Sequence, residues 1–176
     1  MAVGETAFGT MLAFMPASDT LRAWIRLIEA AKERIFLIFY TFDLDIIVTG
    51  LEAAKKRGVK IAVLGDRQRV KQTKGTQALI SRLKQHKIEV RHCEGGPLAD
   101  HYTSGASSQS GLVKEKSGIV HSKFLLADRN LIIGSTNFTT SSQCNLESSC
   151  QIRLNDLGVK EAERYFSAAF SEAEEA

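Results

Sequence analysis

IFLIFYTFDLDIIVTGLEAAKKRGVKIAVL, residues 35–64, decides the architecture. Residues 35–42 form a continuous apolar and aromatic run, too short for a typical helix and expected of a strand covered on both faces. Asp45 is placed to cap a helix that runs through Leu51 and Ala54. Gly58 supplies the left-handed residue that ends it. Residues 59–64 repeat the buried-strand pattern. Strand, helix and strand in succession imply parallel pairing, with helices packed against the sheet.

Upstream, the apolar run 11–14 reaches Pro16, and Ser18 is the predicted cap of a helix. Leu21, Trp24, Ile25, Ile28 and Ala31 recur at helical spacing, with Arg22, Arg26, Glu29 and Lys32 largely on the other side. Downstream, a third helix is expected to turn Ala78, Leu79, Ile80 and Leu83 inward, and residues 88–91 make a short strand. Residues 94–118 are rich in Gly and Ser without periodicity, an unusually long loop. Residues 119–127 and 131–135 read as two strands around an Asp128-Arg129-Asn130 turn. A last strand near 149–154 precedes an amphipathic helix carrying Ala162, Tyr165, Phe166, Ala169 and Phe170. The fold class is α/β, a mixed sheet flanked by helices on both faces, in one domain of 176 residues.

Composition narrows the function without choosing it. A hydrophobic share of 44% suffices for one substantial core. A net charge of +3 is compatible with a phosphate-bearing partner but does not demand one. No apolar stretch approaches the roughly 18 residues of a membrane span, and the N-terminus lacks a basic region followed by an apolar one. Cys93, Cys144 and Cys150 are odd in number and lack zinc-site spacing, so reduced thiols in the cytoplasm or another reducing compartment are expected. Organellar targeting is left open.

The chemistry is concentrated in His121-Ser-Lys123-Phe-Leu-Leu-Ala-Asp128-Arg-Asn-Leu-Ile-Ile-Gly134-Ser135-Thr-Asn137. On a strand, His121 and Lys123 share one face while Val120, Phe124 and Leu126 take the other. Folding back about Arg129 sets Ser135 opposite Lys123 and Asn137 opposite His121. Such a patch suits a phosphodiester: imidazole attacks phosphorus while an ammonium and an amide neutralise and orient the non-bridging oxygens. No metal or cofactor is needed. Asp128 is too far along an extended strand to partner its own His121, and is expected to shape the turn. Glu147, after the Ser- and Asn-rich loop, is the candidate to hold the imidazole in its tautomer.

HxKxxxxD followed by GSxxN resembles the HKD signature of the phospholipase D superfamily. The segments FMPASDTLRAWIRLIEAAKERIFLIFYTF (14–42), LEAAKKRGVKIAVLGD (51–66) and GSTNFTTSSQCNLES (134–148) are similar to its small single-motif members. Those include bacterial endonucleases and the mitochondrial cardiolipin hydrolase and piRNA-processing nuclease group. The likeness runs from about Phe8 to Phe170, although the Asp128-to-Gly134 spacing is one residue shorter than the familiar pattern. The resemblance implies a phospholipase D-like fold and a phosphohistidine intermediate. The implied site comprises His121, Lys123, Asn137, Glu147, Ser135 and Asp128. One motif per chain further implies a homodimer, with the site on its twofold axis and two His121 residues serving as nucleophile and acid.

A His-x-Lys pair alone is usually a solvated strand face; the flanking segments favour the catalytic reading. Arg67, Arg69 and Lys71, with Lys74, follow the strand ending at Gly65, where loops surround the ligand crevice of open α/β sheets. They are expected to form a basic rim for a polyanion, extended by Lys114 and Lys116, although a solvated helix entrance is the plainer reading. Tyr40 and Phe42 read as core aromatics by default, His86, His92 and His101 as surface or loop residues, and Cys144 and Cys150 as packed thiols. An endonuclease on DNA or RNA is the favoured function. A cardiolipin-type phospholipid hydrolase or transferase is the alternative. A catalytically silent, dimeric nucleic-acid-binding or scaffold module ranks third.

Overall fold

A computed structural model describes residues 4–95 and 118–176. The strands are β1 (Gly4–Thr6), β2 (Gly9–Met15), β3 (Arg34–Phe39), β4 (Lys60–Asp66), β5 (Glu89–Cys93), β6 (Lys123–Ala127), β7 (Asn130–Gly134), β8 (Ser149–Leu154) and β9 (Glu174–Glu175). The helices are α1 (Ala17–Ala30), α2 (Asp45–Lys56), α3 (Arg67–Gln72), α4 (Lys74–Gln85) and α5 (Asp156–Ser171). All described strands join one sheet in the order β1-β2-β8-β7-β6-β3-β4-β5-β9. β3 pairs in parallel with β4, and β4 with β5; the remaining neighbours are antiparallel, so the sheet is mixed.

Alternation along the central strands divides the core in two. Ile35, Leu37 and Phe39 of β3, Ile61 and Val63 of β4, and Leu125 and Ala127 of β6 pack with α1, α2 and α4. Phe36, Ile38, Ala62, Leu64, Phe124 and Leu126 point the other way, toward Val159, Ala162 and Phe166 of α5. Helices therefore cover both faces. Among the described residues no helix is long and apolar enough to cross a membrane.

Local expectations shift where the backbone finds better partners. Ser18 is not the cap of α1; Pro16 precedes the helix, and Thr20 Oγ1 donates to its carbonyl at 3.0 Å. Asp45 lies inside α2, after Leu44, and its carboxylate accepts from Arg82 and from Thr49. Gly58 ends that helix with φ +89°. Ala78 is exposed, and Thr76 is the buried residue of that turn, donating to Phe42 O at 2.9 Å. The run 11–14 belongs to the longer β2, which pairs with β8.

The largest correction concerns register. β6 and β7 join through the two-residue turn Asp128-Arg129, pairing Ala127 with Asn130 and Lys123 with Gly134, not with Ser135. Asp128 takes φ +50°, a conformation that aspartate tolerates better than most residues. Its carboxylate accepts from the backbone N–H groups of Lys32, Glu33 and Arg34 at 2.9, 2.9 and 3.0 Å. Burial would raise its pKa, but the three amide donors outweigh that and hold the carboxyl below its ordinary range. Asp128 thus pins the β6–β7 turn to the start of β3, at the end of β6 opposite Lys123.

Candidate active site

Lys123 opens β6 on the face shared with Leu125 and is only 5% exposed. Both faces of this strand are therefore buried, contrary to the expectation of one open catalytic face. Its Nζ donates to His121 O at 2.6 Å and lies 5.4 Å from the Tyr40 ring centroid. Burial lowers the lysine pKa, while the Glu147 carboxylate opposes the shift. His121 precedes the strand and is exposed, its ring 5.0 Å from Tyr40 and tilted by 54°. Desolvation, then the Lys123 charge, lowers its pKa against the pull of Asp66, which favours neutral imidazole at pH 7. The two residues converge around Tyr40 and not by strand alternation alone.

Tyr40 lies one residue beyond β3, half-buried, whereas Phe42 is fully buried against Phe39 and Phe138. The sequence grouped these two aromatics; the end of the strand separates them. Arg69 Nη2 donates to Tyr40 Oη at 2.5 Å, with the guanidinium carbon 4.7 Å from the ring centroid. Asp66 is a second residue that the sequence reading missed. It is 2% exposed; its Oδ1 accepts from Arg69 N and its Oδ2 from Val120 N, each at 3.1 Å. One carboxylate therefore ties the start of α3 to the approach to His121. An aspartate at the end of a strand and the start of a basic helix is a readable capping signal.

Ser135 and Glu147 meet across the β7–β8 edge. Ser135 Oγ donates to Glu147 Oε2 at 2.5 Å, and Asn145 Nδ2 donates to Oε1 at 3.2 Å. The carboxylate bonds these groups and not the His121 imidazole. Register is the reason: Ser135 N donates to Ser148 O at 2.9 Å and Ser148 N to Ser135 Oγ at 3.1 Å, which sets the neighbouring Glu147 over Ser135. Gly134 permits the approach, since a Cβ there would lie 2.3 Å from Ser148 O.

Asn137 is half-buried between Thr136 and Phe138, which point into the core, where Phe138 stacks on Trp24 at 4.0 Å. The Phe138 carbonyl accepts from Asp43 N at 2.9 Å and anchors the segment to the β3–α2 connection. Asn137 Oδ1 is buried without a hydrogen-bond partner among the described residues, an arrangement that costs about 1–3 kcal/mol.

The basic rim is not uniform. Arg67 pairs with Glu94 at 3.1 Å and with Glu174, and Lys71 lies 3.8 Å from Glu174. Arg69 alone of these three turns to Tyr40. Lys114, Lys116, His101 and most of the 94–118 loop lie outside the described residues. His92 is not a surface residue; it is 3% exposed on β5, and burial lowers its pKa. Cys144 is exposed, not packed, while Cys93 and Cys150 are half-buried; all three thiols are free. Among the described residues no cluster of three or more His, Cys, Asp or Glu side chains is gathered as a metal site.

A cavity of about 570 Å³ opens beside Lys123, between the sheet and α5. Phe8, Ile133, Ile152 and Tyr165 supply apolar walls, and the cavity lies on the α5 face of the sheet, opposite the face onto which the Lys123 side chain turns.

Comparison with known proteins agrees with this architecture. A family described as cardiolipin synthase, PLD-like domain, matches residues 24–170. A phospholipase D of Rickettsia prowazekii (strain Madrid E) is 28% identical over 156 residues, 88% of this chain and 64% of that protein, so the chain spans less than two thirds of this relative. Nuc from Salmonella typhimurium, a phospholipase D family member, superposes with a TM-score of 0.74 at 20% identity, covering 93% of this chain and 95% of its own. NucT from Helicobacter pylori superposes with a TM-score of 0.77 at 17% identity, covering 93% and 98%. The protein belongs to the PLD-like domain family and is a member of the phospholipase D superfamily.

Proposed function

We propose that the protein is a metal-independent phosphodiesterase acting through a phosphohistidine, an endonuclease on DNA or RNA whose active site is shared by two copies in a homodimer. The observation that carries this reading is the gathering of His121 and Lys123 on the Tyr40 ring, with the imidazole favoured neutral and so nucleophilic. In the first step a His121 nitrogen forms a bond to phosphorus as the bond to the leaving oxygen breaks. That oxygen takes a proton from the protonated His121 of the second copy. Water then gives a proton to this second imidazole and attacks phosphorus, breaking the P–N bond. Lys123 and Asn137 hold the non-bridging oxygens, and Glu147 orients Ser135 beside them.

The test is to offer single-stranded and duplex DNA, RNA and anionic lipid vesicles to the purified protein in EDTA. Cleavage of nucleic acid in chelator, with an acid-labile phosphoenzyme trapped from labelled substrate, is expected. Loss of activity in EDTA with recovery on adding magnesium or zinc overturns the scheme. Phospholipid hydrolysis is a second reading, favoured by the phospholipase D name of the rickettsial relative. Turnover of vesicles with none of nucleic acid decides for it.

A further inference from the structure

We propose that Arg69, stacked on Tyr40, forms a second phosphate subsite beside the reacting one, so that the substrate is a polynucleotide strand gripped at neighbouring phosphates. The proposal rests on the phosphodiesterase reading and deepens it. Three basic residues on α3 had equal claim to a polyanion from sequence, but their surroundings differ. Arg67 and Lys71 face the carboxylates of Glu94 and Glu174. Arg69 has no carboxylate partner among the described residues.

Its guanidinium is instead fixed at two points, stacking on the Tyr40 ring at 4.7 Å and donating from Nη2 to Oη at 2.5 Å. A guanidinium carries more N–H donors than those contacts use, in a fork that matches phosphate oxygens. Its backbone N–H is bonded to Asp66, whose other oxygen holds Val120, next to His121. The same ring lies 5.4 Å from Lys123 Nζ, so the two cations can be no farther apart than the two ring distances together. Each cation reaches a phosphate oxygen across roughly 2.8 Å, so a strand with one phosphate at Lys123 can bring its neighbour to Arg69. Tyr40 acts as a positioning residue that joins the reacting and the second subsite.

The experiment compares a single-stranded oligonucleotide with bis(p-nitrophenyl) phosphate, a diester with one phosphate, in the wild type, Arg69→Ala, Tyr40→Phe and the double variant. Arg69→Ala should lower the ratio of kcat/KM for oligonucleotide over small diester about tenfold, mostly through KM, and make the salt slope shallower by about one. Tyr40→Phe keeps the ring and removes the hydroxyl anchor, so it should lower the ratio about threefold. In the Arg69→Ala background it should change the ratio little. Equal losses on both substrates would place Arg69 at the reacting phosphate and overturn the subsite; additive losses would overturn the role of Tyr40. Oligonucleotide binding to His121→Asn, with and without Arg69→Ala, reads the subsite without turnover, and equal affinities there sink it. If the wild type cleaves neither substrate, the phosphodiesterase reading fails separately.

Discussion

Lys123 turns its ammonium back onto the carbonyl of His121, two residues earlier, at 2.6 Å. A cation is thereby held against the His121 backbone, inside a strand whose other side chains are core. Burying it costs stability, as its lowered pKa indicates, which is the pattern expected of a charge kept for the proposed chemistry.

Lys123→Met should therefore separate activity from stability. Turnover should fall at least about 100-fold, because the positive charge facing the phosphate is lost. Stability measured by urea unfolding should stay within about 1 kcal/mol of wild type or rise, since Met fills the space without desolvating a charge. A loss above about 3 kcal/mol would mean that the ammonium holds the fold together.

Asp128 should behave in the opposite manner. Asp128→Asn keeps a side chain that tolerates positive φ but weakens the three bonds to residues 32–34. It should cost about 1–3 kcal/mol at pH 7. Because the folded carboxyl has a lowered pKa, its contribution is complete above the unfolded value near 3.8 and is lost as pH falls through the lower folded value. Variant and wild type should converge in stability below that window. A constant difference down to the acid limit contradicts the assignment.

His121→Asn should remove nearly all turnover and leave the fold intact, since the residue is exposed and outside the strand. In the wild type, burial and the Lys123 charge lower the His121 pKa from 6.5, so neutral imidazole persists below the usual range. Activity should rise with pH through a limb centred under that value; a limb centred above it would count against His121 as nucleophile. A heterodimer of one intact and one His121→Asn chain, prevented from exchanging subunits, should show near-zero steady-state turnover. Half the wild-type rate would refute a site shared across the twofold axis.

Glu174 neutralises Arg67 and approaches Lys71 from the short strand β9, which pairs with β5 at only two positions. Glu174→Gln should strengthen binding to an anionic strand and steepen its salt dependence, because one negative charge beside Arg67 and Lys71 is removed, although Arg67 keeps Glu94. Stability should change by no more than about 1 kcal/mol, as expected of exposed pairs. Unchanged affinity, measured by fluorescence anisotropy at two salt concentrations, would remove Arg67 and Lys71 from the binding surface.

The order of the central elements was legible because strand and helix periodicities are local. The uninterrupted apolar runs before and after α2 announced strands covered on both faces, and β3 and β4 divide their side chains between the two cores as that reading requires. Gly58 marked a helix end because few other residues adopt its backbone conformation cheaply. The caps at Ser18 and Asp45 were misplaced because Pro16 and Leu44 occupy those positions, and in the fold the Asp45 carboxylate is taken by Arg82.

By itself, the sequence singled out His121, Lys123, Ser135, Asn137 and Glu147 as candidates for the chemistry and carried the alternation that builds the sheet. Only the tertiary structure decided how the cluster is wired. A one-residue change in the β6–β7 turn moves Gly134 opposite Lys123, and pairing with β8 then delivers Glu147 to Ser135 in place of His121. It also decided how the α3 cations differ, since Arg67 and Lys71 meet Glu174 from a strand far along the chain while Arg69 meets Tyr40. Periodicity is set by neighbours a few residues apart; register and charge pairing are set by contacts between distant segments, which closure of the sheet alone brings together.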